Sequence, residues 1–353
     1  MAEQQGTEKS AKQVVPAEKE TGTRPQLTFG ERWAYADAPE AKDHAKIRER
    51  YDLFIDGRWQ APKSKEYFTT QNPATEEQLA DVARGGEADI DAAVKAARRA
   101  YEEVWGKMSG VDRSRYIFRI ARILQERTRE LAVLESLDGG KPIRESRDVD
   151  LPLTAAHFFY HAGWADKLHL AFPGAAARPK GVAGQVIPWN FPLLMAAWKL
   201  APALCCGNTV VLKPAETTPL TALHLAQVLE QAELPPGVVN IVTGDGGTGA
   251  ALVQHEGLDK VAFTGSTEVG KQIQAALAGT GRDLTLELGG KAAHIVFEDA
   301  ALDQAVEGVV SGIFFNQGHV CCAGSRLLVQ ESIHDIFVGK LKRRMERIRV
   351  GDP

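Results

Sequence analysis

The sequence predicts an α/β protein: a doubly wound parallel sheet, followed by the first part of a second α/β domain. Three observations lead there. From Gly184 onward, short β-rich runs at 184–187, 209–212, 239–242, 260–263 and 284–287 alternate with helical segments that start near Pro192, Pro219, Gly247 and Thr267. Strands that alternate with helices across short turns pair in parallel, with helices covering both faces of the sheet. After Gly289 and Gly290 the alternation restarts as a strand at 295–297, a helix at 302–316, a strand at 326–329 and a helix at about 333–348. No internal repeat or low-complexity block interrupts this order.

The elements before Gly184 follow from local pattern. Residues 1–50 are rich in Glu, Lys, Gln, Ala and Pro, cannot bury much, and are expected to form a mobile tail. The run from Tyr51 to Trp59 meets a turn at Gly57, a hairpin signal, and Asn72-Pro73-Ala74-Thr75 is a second turn. Ile90, Val94, Ala97 and Tyr101 repeat at helical spacing, with Asp89 near the start. Ile117, Ile120, Leu124, Leu131 and Leu134 form one long apolar stripe, predicted as a single helix that Asp138-Gly139-Gly140 stops. A third helix is expected over 151–168.

Composition narrows the function classes. A chain of 353 residues can bury a large core and hold two domains. Its 44% hydrophobic and 25% charged content is ordinary for a globular protein. A formal net charge of -4 gives no electrostatic drive toward nucleic acid or an anionic membrane. No apolar run approaches a membrane span. The start, Met1-Ala2-Glu3-Gln4-Gln5, lacks a secretory pattern, so a cytoplasmic protein is expected. The cysteines fall as Cys205-Cys206 and Cys321-Cys322, neither a disulfide framework nor a metal-ligand spacing, and no metal is expected. Cys205 and Cys206 read as small core residues on a helix.

Four segments carry reactive groups. Asn190 sits in Pro188-Trp189-Asn190-Phe191-Pro192, and Lys213 opens Lys213-Pro214-Ala215-Glu216. Glu287 sits in Leu286-Glu287-Leu288-Gly289-Gly290-Lys291, and Cys321 in Gly318-His319-Val320-Cys321-Cys322-Ala323-Gly324. A thiol, a carboxylate, a side-chain amide and a cation able to reach phosphate are the parts needed to oxidise an aldehyde through a covalent thioester. Thiolate attack makes a tetrahedral adduct from which hydride leaves readily, and water must then cleave the thioester. Each residue also has a plainer reading: an inert buried cysteine, a helix-capping asparagine, a solvated glutamate at a strand end. A free thiol titrates near about 8.5, so the site must favour the thiolate or supply a base. Deacylation needs a general base, and a carboxylate in partly apolar surroundings can be pushed toward neutrality. Leu284, Leu286 and Leu288 flank Glu287, and Gly289-Gly290 lets the chain turn tightly. Gly244-Asp245-Gly246-Gly247-Thr248-Gly249 loosely matches a dinucleotide fingerprint. The stronger signal is Phe263-Thr264-Gly265-Ser266-Thr267-Glu268-Val269-Gly270, which follows a strand and opens a helix whose N-terminal amides can meet pyrophosphate.

At these positions and in this order the segments resemble the aldehyde dehydrogenase superfamily, from about Phe54 to the end of the chain. The resemblance implies a Rossmann-like NAD-binding domain over 51–288 and a partial catalytic domain over 289–353. It also implies a small two-strand excursion near 172–181 for subunit contacts, and it leaves a homo-oligomer open. The family motif places the reactive thiol three residues after Gly318, making Cys321 the nucleophile. Glu287, 34 residues earlier, becomes the base that activates the deacylating water. Asn190 and the Cys321 backbone N–H become the oxyanion donors, each worth about 3 kcal/mol in such sites.

The implied cofactor residues are Ile187, Pro188, Trp189, Lys213, Glu216, Gly246, Gly247, Phe263, Thr264, Gly265, Ser266, Val269 and Leu288, with Ser266 toward phosphate. Lys213 reaches the adenosine ribose, and Glu216 accepts hydrogen bonds from it while repelling a 2′-phosphate, so NAD is expected over NADP. Phe191, Met195, Trp198, Phe315, Val320 and Cys322 are expected to line an aldehyde tunnel suited to an apolar or aromatic substrate.

The pattern departs from the family at three places. His319 stands where Gln or Glu is usual, and Ala292-Ala293-His294 replaces a Ser-Pro-Asn type sequence. Beyond Pro353 the family normally continues, including a Glu-x-Phe-Gly-Pro type segment that holds the nicotinamide ribose, so a fragment or shortened form of a longer enzyme is expected. A CoA-acylating relative would share the thiol, but Glu287 argues against it. A non-catalytic dinucleotide-binding module is the alternative from another class.

Overall fold

Asp56 and Gly57, both with positive φ (54° and 69°), reverse the chain between β2 (Leu53–Ile55) and β3 (Arg58–Gln60), forming the expected hairpin. This computed structural model describes residues 41–171, 173–174 and 177–353. Most of the expected mobile tail lies outside them. Order begins before residue 51, however: Lys42–His44 form a 3-10 turn, and Ala45 and Ile47 pack on the core. β1 (Arg50–Tyr51) then joins β4 (Tyr67–Gln71) and β5 (Gln78–Ala83) in a three-stranded sheet.

Helices α1 (Glu87–Ala100), α2 (Gly110–Glu126), α3 (Thr128–Gly139), α4 (Ile143–Glu145), α5 (Leu151–Trp164) and α6 (Leu168–Ala171) follow. The stripe expected to form one helix is therefore two, broken at Arg127 (φ −94°, ψ 13°). The Thr128 hydroxyl donates back to the carbonyls of Leu124 (3.2 Å) and Gln125 (2.8 Å), while Arg127 reaches forward to Glu130 and across to Gln227. Such local bonds compete with a continuous helix. Gly140, left-handed at φ 66°, ends α3 as anticipated. The helix expected over 151–168 stops at Trp164, and a π turn at Ser146–Asp150 precedes it. Within the expected excursion, residues 172, 175 and 176 lie outside the described set, and the other residues of 172–181 form no strand.

The main sheet has seven strands in the order β10-β9-β6-β7-β8-β2-β3. Its members beyond the hairpin are β6 (Val182–Val186), β7 (Thr209–Lys213), β8 (Val239–Ile241), β9 (Lys260–Gly265) and β10 (Asp283–Leu288). These five are mutually parallel, and β2 closes antiparallel on β8. The crossovers are α7 (Pro192–Cys205), α8 (Leu220–Gln231), α9 (Gly246–Gln254) and α10 (Thr267–Leu277). The two-residue period of a strand divides the core. Along β7, Val210 and Leu212 join the cluster built with α2, α5, α7 and α8, while Val211 joins the opposite cluster with α1 and α9. Both faces are covered, as a parallel sheet requires.

Past Leu288, β11 (Ala293–Val296) and β12 (Arg326–Val329) pair in parallel as a separate two-stranded sheet. α11 (Leu302–Phe314) and α12 (His334–Met345) pack on it through Val306, Val309 and Phe337. Among the described residues no helix is long and apolar enough to cross a membrane.

The α3–α5 corner buries several charges. Lys141 (3% exposed) lies between Glu135, 3.3 Å away, and Asp150, which it contacts directly. Burial pushes the Glu135 carboxyl up to about 8, with Lys141 opposing and Asp150 adding. Asp138 is pushed up to about 7 by burial, although it accepts from the Leu220 N–H (2.8 Å) and the Thr70 hydroxyl (3.1 Å). An unfolded Asp titrates near about 4, so between there and pH 7 the folded state holds the extra proton. The stability this group contributes is complete in acid and is lost as pH rises through about 7. Asp138→Asn keeps an acceptor for Leu220 and turns its amide toward Thr70, without a charge to bury. Urea unfolding over a pH series is expected to show the variant gaining on the parent as pH rises from about 4 to 8; parallel pH profiles would refute the assignment.

Candidate active site

The parallel strands all run toward one edge, and a cleft of about 1350 Å³ opens outside their carboxyl ends. This is where open α/β sheets hold ligands. β6 leads into Ile187–Asn190, β7 ends at Lys213, β9 at Gly265 and β10 at Leu288, so four separate turns converge there. The returning 315–322 segment supplies the fifth wall. Every site residue expected from the sequence lines this cleft except Gly247.

On the thiol side, Cys321 and Cys322 are both free and exposed to the cleft. Partial burial of the sulfur still pushes the Cys321 thiol up, and Cys322 beside it adds to this. The backbone N–H groups of Cys322 and Cys321 pull the other way. The His319 ring packs edge-on against Trp189 at 4.8 Å. Asn190 does not cap α7: the cap position is Phe191, with Pro192 at the first turn. The Asn190 side-chain amide instead donates to the His319 carbonyl at 2.8 Å. That uses one of its two N–H groups and leaves the other for a ligand.

The segment ahead of the thiol departs from expectation. The helix predicted over 302–316 ends at Phe314, and Asn316, Gln317 and Gly318 follow in left-handed geometry, with φ of 47°, 57° and 81°. Asn316 donates through its side chain to the carbonyls of Asn190 (2.8 Å) and His319 (3.3 Å). Its backbone N–H donates to Glu145 at 2.6 Å, and the Gln317 side chain donates to the Gly140 carbonyl. Neither Asn316 nor Glu145 was expected from the sequence as a site residue.

Glu287 occupies the end of β10, in register with Thr264 of β9, and is exposed. The leucines around it therefore do not enclose its carboxylate. Lys199 was also missed. Burial lowers it to about 8, with Glu287 close enough to oppose that shift. The available signal was a single charge in the otherwise apolar helix Pro192–Cys205.

On the other side of the cleft, the buried Lys213 ammonium meets the Glu216 carboxylate at 3.2 Å, and Glu216 is half-exposed. Burial lowers the Lys213 pKa, with Glu216 countering. Ser266 caps α10, its hydroxyl accepting from the Val269 N–H at 3.3 Å. At Gly265 a Cβ would come within 2.4 Å of the tip of the Phe263 ring, so a larger residue there requires that ring to move. The looser Gly-rich segment serves differently. Asp245 caps α9 by accepting from the Gly247 N–H at 2.8 Å and pairs with Arg84, so Gly247 is committed within the fold. The far wall is apolar: Phe191 stacks on Phe315 at 6.3 Å, beside Met195, Leu153 and Trp198. His157 packs edge-on behind Trp198 at 5.4 Å.

Comparison with known proteins agrees with this layout. The profile of the aldehyde dehydrogenase family matches residues 59–353. Human retinal dehydrogenase 2 is 50% identical over 313 residues, which cover 85% of this chain and 60% of that protein. A mitochondrial aldehyde dehydrogenase of Arabidopsis thaliana, family 2 member B4, is 51% identical over 312 residues, covering 85% and 58%. Among solved structures, the NAD+ complex of an aldehyde dehydrogenase from Bacillus cereus superimposes with a TM-score of 0.83 at 42% identity, covering 87% of this chain and 64% of that one. The chain thus spans about three fifths of the length of the curated relatives it matches. On the family match and the fold together, the chain belongs to the aldehyde dehydrogenase family.

Proposed function

We propose that this chain carries the chemistry of an NAD-dependent aldehyde dehydrogenase, with residues 51–288 as the cofactor domain and 289–353 as part of the catalytic domain. One observation carries the reading: Cys321, Asn190 and Glu287 share a single cleft with the Lys213–Glu216 pair. The residues present suit a dinucleotide. A buried ammonium already held by a half-exposed carboxylate matches a ribose with free hydroxyls, and the open start of α10 suits a pyrophosphate. Bound there, NAD supplies the hydride acceptor.

The protein's own groups do the rest. Cys321, once deprotonated, adds to the aldehyde carbon, and the free N–H of Asn190 donates to the oxygen that gains charge. Glu287 takes the proton from the water that cleaves the Cys321 thioester. The nearby Lys199 charge attracts and helps to orient that carboxylate. Because the thiol is pushed up rather than down, its deprotonation needs a base or high pH. An apolar aldehyde is the proposed substrate, supported by the aromatic wall and by a relative named for retinal. NAD over NADP rests on Glu216. Free thiols at all four cysteines suit a reducing compartment, and a cytoplasmic location is proposed. Self-association is proposed from the family resemblance alone.

Purified chain incubated with NAD and a panel of aliphatic and aromatic aldehydes is expected to form NADH, and Cys321→Ala to form none. NADH production that survives in this variant would defeat the reading. Glu287→Gln is expected to release about one equivalent of NADH per site in a burst and then stall at the thioester, because only the deacylation base is lost. Glu216→Gln removes the repulsion of a 2′-phosphate and is expected to lower the KM for NADP about tenfold, equivalent to roughly 1.4 kcal/mol. An unchanged NADP KM would remove Glu216 from cofactor selection.

A further inference from the structure

We infer that Asn316 is a positioning residue for the oxyanion site and the thiol segment, held in place by Glu145; this rests on the functional reading of Asn190 and Cys321. Asn316, Gln317 and Gly318 are consecutively left-handed, a backbone state that L-residues rarely adopt. Asn tolerates it better than most residues, and Gln has no such advantage. The run therefore persists because its surroundings fix it.

Three attachments do so. The Glu145 carboxylate accepts the Asn316 N–H at 2.6 Å, the Gln317 side chain donates to the Gly140 carbonyl, and the Asn316 amide donates to the Asn190 carbonyl at 2.8 Å. The same amide reaches the His319 carbonyl at 3.3 Å, which also accepts from the Asn190 side chain at 2.8 Å. One buried carboxamide thus ties the backbone of the proposed oxyanion residue to the turn that delivers the nucleophile. Asn316 is only 3% exposed and does not line the cleft. It acts through Asn190 and Cys321 rather than on a substrate. Glu145 sits on a corner that is itself pinned, since Lys141 binds Glu135 and Asp150 and lies 4.0 Å from the centroid of the Phe191 ring.

The test compares Asn316→Gly, Glu145→Ala and Glu145→Gln with the parent chain. The glycine variant permits the left-handed turn but has no carboxamide; the glutamine variant keeps an acceptor for the Asn316 N–H. For aldehyde oxidation, kcat is expected to fall about 10- to 100-fold in Asn316→Gly and Glu145→Ala, the usual scale of misplacement by an ångström. The KM for NAD should stay within about twofold, and Glu145→Gln should restore most of kcat. A second readout needs no turnover: the rate at which iodoacetamide alkylates Cys321, followed by mass spectrometry of its peptide. It is expected to drop about fivefold or more in the two disruptive variants and not in Glu145→Gln, as the backbone N–H groups near the sulfur lose their alignment. Thermal melts establish that each variant is folded. Parent-like kcat and alkylation in Asn316→Gly and Glu145→Ala overturn the inference, as does a Glu145→Gln variant no better than Glu145→Ala. If the parent chain makes no NADH, the proposed function is what fails, and the alkylation series alone decides the positioning role.

Discussion

The parallel ladder of β10-β9-β6-β7-β8 is the constraint on which the rest of this molecule depends. Parallel strands cannot be joined by tight hairpins, so each must be followed by a helix that returns the chain across a face of the sheet. With helices on both faces, the strands are buried and read as short apolar runs. The turns that leave the carboxyl ends then collect along one edge. Asn190, Lys213, the Gly265-Ser266 turn and Glu287 are separated in the chain and meet because each lies at, or just beyond, a strand end. The cleft is thus a consequence of the topology before it is a consequence of any one side chain.

Beneath that edge lies a second, polar layer. Lys141, Glu135 and Asp150 are buried together, and Lys141 also supports the Phe191 ring. Burying charges is costly unless they are paired, and removing one partner leaves the others exposed to that cost. A corner built this way resists small displacements, which suits a support for the residues beside the thiol.

Much of this was legible in the sequence. β6 to β10 were read from short apolar runs, and the hairpin from Gly57. The end of α3 was marked by Gly139 and Gly140 because a left-handed residue there is needed to stop a helix. The residues expected from the motifs and the family resemblance line the cleft, Gly247 excepted. What was hidden depends on partners distant in the chain. The apolar stripe continues in phase across Arg127, so periodicity alone cannot show the break there, beside Thr128 bonding backward. The pattern over 302–316 is helical to its last residues, and only contacts with Glu145, Gly140 and Asn190 explain why it ends early. That Asn190 does not cap α7 rests on Phe191 taking the cap position and on one bond to the distant His319 carbonyl. The exposure of Glu287 depends on what packs over β10, which its flanking leucines do not report.

The left-handed run before Cys321 also implies an order of assembly. Its anchors lie 171 and 177 residues earlier in the chain, at Glu145 and Gly140, and 126 residues earlier at Asn190. Contacts of such separation form only after the intervening chain has collapsed. During synthesis the helices and parallel strands leave the ribosome first and can pack as a unit before the thiol segment emerges. The Cys321 thiol would thus meet a scaffold already in place, and would spend little time on an unfolded chain where it could be oxidised or paired with the wrong thiol.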